Sequence, residues 1–385
     1  MSSFRTVGWA RFLSAALLLT AAMPGSAVAS TSASSTGDSS TGAATSTAVT
    51  SSAAVGAAAT SRASDGLEVS AWLPYWNVST ATAAAERIPA LTTVSLFWYD
   101  ASCTRVSSQA PAGWRQVVSR LRAKKLTVIP TITASGLAPE VAAACFSSST
   151  SRTALARRLV DLATSNRFDG VDLDFEHLAL TTKSSTATSV RIGYSAFVRQ
   201  LCDRLRAVSK TCVVTVMPRT SDSQAVWQDR LIPAVYDYRS LSAAADRIRV
   251  MAYDEHNRRT AAGSIAGLPW VEQVAAYVAA TAPAHKVELG LPAYGRDWAA
   301  GAPVRTLTLP AAAALAKKHR AQVVLDPVQK EARFTYRVGR VRHTVWFASA
   351  AGLPDRLTLA RRHGFAGVAV WALGMEDGAY RAALR

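Results

Sequence analysis

Histidine and cysteine are scarce in this chain, with six and four copies in 385 residues. The histidines are scattered with no close pair, so nothing resembles a set of metal ligands at working spacing. A nucleophile-elbow motif is absent, which argues against a serine triad. No apolar run is long enough to span a bilayer. Acids are outnumbered, 26 Asp and Glu against 43 Lys and Arg, for a formal charge of +17. The basic residues are spread rather than blocked, so no nucleic-acid groove is indicated. The excess charge suits a basic secreted protein and leaves attraction to an anionic cell-wall surface open.

Against that scarcity, four of the acids fall within eight residues, in Phe168-Asp169-Gly170-Val171-Asp172-Leu173-Asp174-Phe175-Glu176. Asp172, Asp174 and Glu176 alternate with Val171, Leu173 and Phe175. On a β-strand, a period of two puts three carboxylates on one face and three apolar side chains on the other. Stripping several carboxylates of water is too costly for an ordinary core, and no matching basic residues accompany them. The stretch therefore reads as a catalytic strand. Asp169 is out of phase with the other three and reads as a structural hydrogen-bonding residue beside Gly170.

The front end reads as a secretory signal over residues 1–29. Arg5 and Arg11 supply the charge, Phe12 to Ala22 the short apolar run, and Ala27-Val28-Ala29 the cleavage site. Residues 30–64 are nearly all Ser, Thr, Ala and Gly, the composition of a disordered linker. The expected product is secreted, monomeric and not membrane-held. Four cysteines in an exported chain then suggest two disulfides. Cys202 and Cys212 lie close together, with a helix end and a strand start between them. Cys103 and Cys145 follow two successive predicted strands, so both belong on one rim, and the expected pairs are 103–145 and 202–212.

From residue 65 to 385, short β-branched runs alternate with helical stretches, the pattern of a parallel sheet wrapped by helices. Strands are expected over Leu67–Leu73, Thr92–Trp98, Leu126–Thr133, the acidic stretch, Cys212–Met217, Arg247–Tyr253, Val287–Pro292 and Ala366–Leu373. Eight strands over about 320 residues predict an α/β fold, a (β/α)8 TIM barrel. Helices are expected over Arg152–Ser165 and Val190–Val208, and one opening at Pro269. The connection over about 299–365 is too long for one crossover. Short strands at Val323–Leu325, Phe334–Val338 and Arg342–Phe347, with a turn at Gly339, mark it as a small α+β insertion walling the cleft.

In such a barrel the C-terminal ends of the strands carry the site. Glu176, Met251, Tyr253, Asp254, Pro292, Tyr294, Arg296 and Trp371 collect there, with Trp72 and Trp76 at the end of the first strand. Carboxylates among aromatic rings suggest a polar ring substrate that stacks its C–H faces. Trp114, Trp227 and Trp346 read as core, and His177 and His256 as flanking rather than catalytic.

These residues resemble the glycoside hydrolases of family 18, the chitinase family. The resemblance rests on Asp169 to Glu176, Met251-Ala252-Tyr253-Asp254, Leu289-Gly290-Leu291-Pro292-Ala293-Tyr294-Gly295-Arg296 and Gly367-Val368-Ala369-Val370-Trp371. Asp254-Glu255-His256, Val345-Trp346-Phe347 and Trp371-Ala372-Leu373-Gly374 are similar to the bacterial branch of spore-cortex and cell-wall N-acetylglucosaminidases. One departure stands out: the family's third strand usually ends in a serine and two glycines, and here it reads Thr131-Ile132-Thr133-Ala134-Ser135-Gly136. The resemblance implies a substrate carrying N-acetylglucosamine, chitin or peptidoglycan, with no cofactor and no metal. It also implies roles: Glu176 as proton donor, Asp174 as acetamide partner, Tyr253 as orienting hydroxyl, and Asp172 as the deep partner that takes the proton when Asp174 turns to the substrate. Asp254, Met251, Tyr294, Arg296, Trp371 and Trp76 would bind the sugar. The rival reading is a lectin-like protein on the same barrel, a kind that typically lacks the glutamate present here as Glu176.

Overall fold

The computed structural model describes residues 66–223 and 232–384. The expected signal, the linker and Trp227 lie outside the described residues. Eight parallel strands form the barrel: β1 Glu68–Pro74, β2 Leu91–Ala101, β3 Thr127–Thr133, β4 Gly170–Asp174, β5 Thr211–Val216, β6 Arg247–Val250, β7 Val287–Pro292 and β8 Gly367–Trp371. Neighbours pair in chain order, and β1 pairs with both β2 and β8, which closes the sheet. The predicted α/β barrel is the fold that forms.

Closure explains the burial pattern. The apolar face of β4 turns outward: Val171, Leu173 and Phe175 are fully buried under the helical layer, and Phe175 stacks on Tyr194 and Phe197 at ring distances of 5.9 and 6.1 Å. Tyr194, Phe197, Leu201 and Leu205 recur at helical spacing on the helix Ser184–Ala207. The other face of β4 looks into the barrel, where Ser70, Ser95, Thr131, Asp172, Thr215, Arg249 and Glu288 are all buried. They come from seven different strands and hydrogen-bond one another, which only a shared interior allows. Gly170 opens β4 because β5 runs so close there. A Cβ on Gly170 would sit 2.3 Å from the carbonyl oxygen of Thr211. Asp169 has the structural role that its phase suggested, accepting from the backbone N–H of Val128 at 2.8 Å.

After β7 the chain builds an antiparallel five-stranded sheet, in the spatial order Arg305–Thr308, Tyr294–Ala299, Val341–Phe347, Ala332–Val338 and Val324–Leu325. The helix Leu309–Lys318 accompanies it, and Gly339 takes the left-handed conformation at the hairpin turn, φ 58°. This sheet begins at Tyr294, two residues past the end of β7, so Tyr294 and Arg296 stand on the insertion's own strand. Among the described residues no helix is long and apolar enough to cross a membrane.

Both expected disulfides form, with Cα–Cα distances of 5.8 Å for Cys103–Cys145 and 5.2 Å for Cys202–Cys212. Their sequence separations are 42 and 10 residues. Loop-closure entropy predicts that removing the pair Cys103/Cys145 costs about 4 kcal/mol and removing Cys202/Cys212 about 3 kcal/mol. Urea titration of the two double-serine variants checks this. A larger loss for the shorter loop would contradict the loop-entropy account.

Candidate active site

Asp172 and Asp174 point into the barrel from β4, 0 % and 4 % exposed. Glu176 lies two residues past the strand's end, where the chain has already turned helical, φ −88°, ψ −40°. The Tyr236 hydroxyl donates to the carbonyl of Phe175 at 2.8 Å and ties this exit down. The three acids therefore climb from the barrel interior to its rim.

Their surroundings differ. Asp172 accepts from Trp72 Nε1 at 3.0 Å, Thr131 Oγ1 at 2.8 Å, Thr215 Oγ1 at 2.8 Å and an Arg249 guanidinium nitrogen at 3.1 Å. Asp174 Oδ1 is buried and, among the described residues, has no hydrogen-bond partner. Burial, then the charges of Glu176 and Asp172, hold the Asp174 pKa well above the ordinary carboxylate range, and Arg249 pulls the other way. Burial, followed by the charge of Asp254, pushes Glu176 up to about 7. Glu176 thus meets a negative charge from across the cleft as well as that of Asp174 in its own row.

β6 ends at Val250, earlier than its apolar run suggested. Backbone N–H groups of Ala252 and Tyr253 donate to the carbonyls of Val250 and Met251 at 2.8 and 2.7 Å, and Asp254 takes a left-handed φ of 63°. These tight turns break the ladder and swing the segment over the barrel mouth. Met251 and Tyr253 are each 7 % exposed there. Gly290 makes room, since a Cβ on it would lie 3.0 Å from the Tyr253 ring. Burial, then the Asp174 charge, keeps the Tyr253 hydroxyl protonated far up the pH scale.

Asp254 gathers the insertion's contribution. It accepts from the Tyr294 hydroxyl and from Arg296 at 2.5 Å, while Tyr253 and Tyr294 meet edge to face at 6.3 Å. Opposite, Trp371 at the end of β8 is half-buried among Phe97 at 4.9 Å, Trp72 at 5.7 Å and Trp76 at 6.3 Å. Trp76 is 40 % exposed. The site residues expected from the sequence thus surround one mouth, with Trp72 joining the aromatic wall to the acids through its bond to Asp172. Trp346 packs partly buried against the core, with the Arg333 guanidinium 5.4 Å from its ring.

Sequence reasoning missed Arg249 and Glu288. The pair was signalled by phase: Arg249 stands between Ile248 and Val250, and Glu288 between Val287 and Leu289, directly across the β6–β7 register. Among the described residues no group of three or more His, Cys, Asp or Glu side chains is placed to hold a metal ion.

Comparison with known proteins adds four findings. The family model for glycosyl hydrolases family 18 matches residues 114–376. YdhD of Bacillus subtilis (strain 168), which carries the name of a sporulation-specific glycosylase, is 26 % identical over 66 % of this chain, and the match spans 58 % of YdhD's length. A cortical fragment-lytic enzyme of Bacillus anthracis is 25 % identical over 56 % of this chain and 49 % of its own. Among solved structures, a chitinase from Chromobacterium violaceum ATCC 12472 superposes with a TM-score of 0.74 at 27 % identity, covering 83 % of this chain and 98 % of that one.

Proposed function

The chain belongs to the glycosyl hydrolases family 18, and from that premise we propose that it is a secreted, retaining hydrolase of β-1,4 bonds in N-acetylglucosamine-containing polymers, acting by substrate-assisted catalysis. One observation carries the reading: a buried, unpartnered Asp174 oxygen stands in the same acidic row as a Glu176 held near neutrality. An ordinary retaining glycosidase needs two carboxylates flanking the bond, one as nucleophile, and this family is an exception in which the substrate assists.

In the proposed cycle, Glu176 gives its proton to the glycosidic oxygen as the C1–O bond breaks. The carbonyl oxygen of the substrate's own 2-acetamido group attacks C1 and closes an oxazolinium ring. The ring N–H bonds to the unpartnered oxygen of Asp174, whose negative charge stabilises the cation. Tyr253 donates its hydroxyl to the acetamido carbonyl and aims it; positioning of this kind is worth several kcal/mol. The Glu176 carboxylate then takes a proton from water, which opens the ring from the same face as the departed group. Trp371 lies under the reacting sugar, with Trp76 extending that wall and Asp254, Tyr294, Arg296 and Met251 opposite. The chemistry needs no cofactor.

Chitin, chitooligosaccharides and peptidoglycan all carry the acetamido group, and the similar proteins include one named as a chitinase and one named as a cortical fragment-lytic enzyme. A basic, monomeric, exported protein would also be drawn to an anionic wall. Incubation with defined chitin oligomers and with purified peptidoglycan, followed by product masses and proton NMR of the first product, tests the reading. The expected first product keeps the β configuration. An α-anomer would end the mechanism, and no cleavage of either polymer would end the hydrolase.

A further inference from the structure

We infer that the exposed face of the insertion's hairpin is a second binding surface, an arginine wall that takes carboxylates of the glycan whose acetamido sugar lies in the cleft. The polymer that fits is one whose acetamido sugars bear carboxylate side groups, as in peptidoglycan; chitin is neutral and offers the wall nothing to pair with. This deepens the hydrolase reading, on which it rests for the identity of the sugar.

Strand register fixes which side chains share the face. Residues directly opposite in an antiparallel pair point to the same side, and the side alternates along each strand. Arg296 stands opposite Trp346, and Trp346 opposite Arg333. Towards the hairpin turn, the next row is Trp298, Thr344 and Thr335, and the one beyond it pairs Arg342 with Arg337. All of these lie on one face. Its inner end belongs to the site, where Arg296 reaches Asp254 at 2.5 Å and Trp298 Nε1 donates to the carbonyl of Asn257 at 3.2 Å. The reverse face is core, with Phe334, Tyr336, Val345 and Phe347 buried. Two strand spacings carry Arg333 about 10 Å from Arg296, which suits a neighbouring sugar rather than the ring at Glu176.

This wall is short of acids. Between Gly301 and Phe347, nine Lys and Arg stand against two acids, Asp326 and Glu331. Glu331 is buried and faces Arg356 at 3.5 Å. Arg333, Arg337 and Arg342 are exposed, as are Arg340 at the turn and Arg258 and Arg259, which follow Asn257 in the chain. Arg337 and Arg342 oppose each other directly across the hairpin, and like charges so placed destabilise a sheet. Such a pair fits a surface whose counter-charge arrives with a ligand. Arg333 is already oriented for one. Its Nε donates to Asp326 Oδ2 at 3.1 Å, and its guanidinium lies 5.4 Å from the Trp346 ring. That grip uses Nε and leaves the fork of terminal nitrogens, which pairs bidentately with a carboxylate. Asp326 is held in turn by the N–H groups of Val328 and Gln329 at 3.1 and 2.9 Å, so the support is rigid.

Binding, read without turnover, tests the wall. The wild-type protein is co-sedimented with insoluble peptidoglycan freed of phosphate polymers, and with chitin powder. Salt is set at about 0.05 M and again at about 0.5 M, where a Debye length of about 4 Å screens exposed pairs. At low salt the affinity for peptidoglycan should exceed that for chitin about tenfold, the joint worth of three exposed ion pairs. High salt should close the gap, and so should amidation of the polymer's carboxyl groups. The variant Arg333→Gln, Arg337→Gln, Arg342→Gln should bind both polymers alike. A control, Lys124→Gln, Arg157→Gln, Arg158→Gln, removes the same charge from exposed positions at the helices Trp114–Ala123 and Ser149–Ser165 and should keep the preference. Equal or undetectable wild-type affinities would overturn the inference, as would an undiminished preference in the arginine variant or an equal loss in the control. A preference that survives amidation, or one that appears only with phosphate polymers left on the wall, would overturn it too. No arm needs cleavage, so a preference that holds while neither polymer is hydrolysed would keep the wall and end the hydrolase.

Discussion

Glu176→Gln should lose about 10² to 10⁴ in kcat/KM, the range for a general acid removed from the transition state, while the fold is kept. Glutamine is close in shape and accepts hydrogen bonds, but it has no proton to give. The same residue should set the upper pH limb. With its pKa near 7, kcat/KM in the wild-type protein should fall above about pH 7 as the acid form is lost. Steady-state kinetics of both proteins from about pH 4 to 9 check the pair of expectations. Residual activity in Glu176→Gln within about tenfold of wild type would remove the acid role.

A stability signature accompanies it. The Glu176 pKa lies above the ordinary 4.5, so the native state keeps a proton that the unfolded chain releases. That contribution is complete below about pH 4.5 and is lost as pH rises through about 7. The glutamine variant has no charge to bury. It should therefore melt above wild type at about pH 8, with the gap closing towards about pH 5.

Asp174→Asn should cost about 10² to 10³ in kcat, comparable with removing one preorganised electrostatic contact from a transition state. Among the described residues the buried Oδ1 has no partner, which in the proposed mechanism leaves it for the acetamido nitrogen. An uncharged amide cannot neutralise an oxazolinium cation. A thiazoline mimic of that ion separates this role from mere packing. It should inhibit the wild-type protein strongly and the asparagine variant far less, whereas affinity for unreacted substrate should change little. Equal inhibition of both proteins would mean that Asp174 does not face the cation.

Much of this site is legible in the sequence because it depends on phase. Alternation over residues 170–176 places Asp172, Asp174 and Glu176 on one side whatever the neighbours are. It stays true although β4 ends at Asp174, since Glu176 leaves the strand with its carboxylate still at the mouth. The eight strand positions and both disulfides follow from local pattern in the same way. β6 was misjudged in length because Met251 and Ala252 are apolar enough to continue a strand, and it is turn hydrogen bonding that stops it.

What each acid can do was decided elsewhere. Pattern alone treats Asp172 and Asp174 as equivalent, two aspartates in one phase of one strand. Closure of the barrel brings Trp72, Thr131, Thr215 and Arg249 from four other strands onto Asp172 and leaves Asp174 Oδ1 bare. Asp254 reaches Glu176 only because the chain after β6 folds back over the mouth, where Tyr294 and Arg296 of the insertion hold it. By itself the sequence determined the barrel and the row of three acids, since both are written in periodicity. Only the tertiary structure divided those acids into one enclosed by four donors, one with an open acceptor oxygen and one held near neutrality, because a carboxylate's behaviour is set by burial and by the charges and donors that distant segments bring to it.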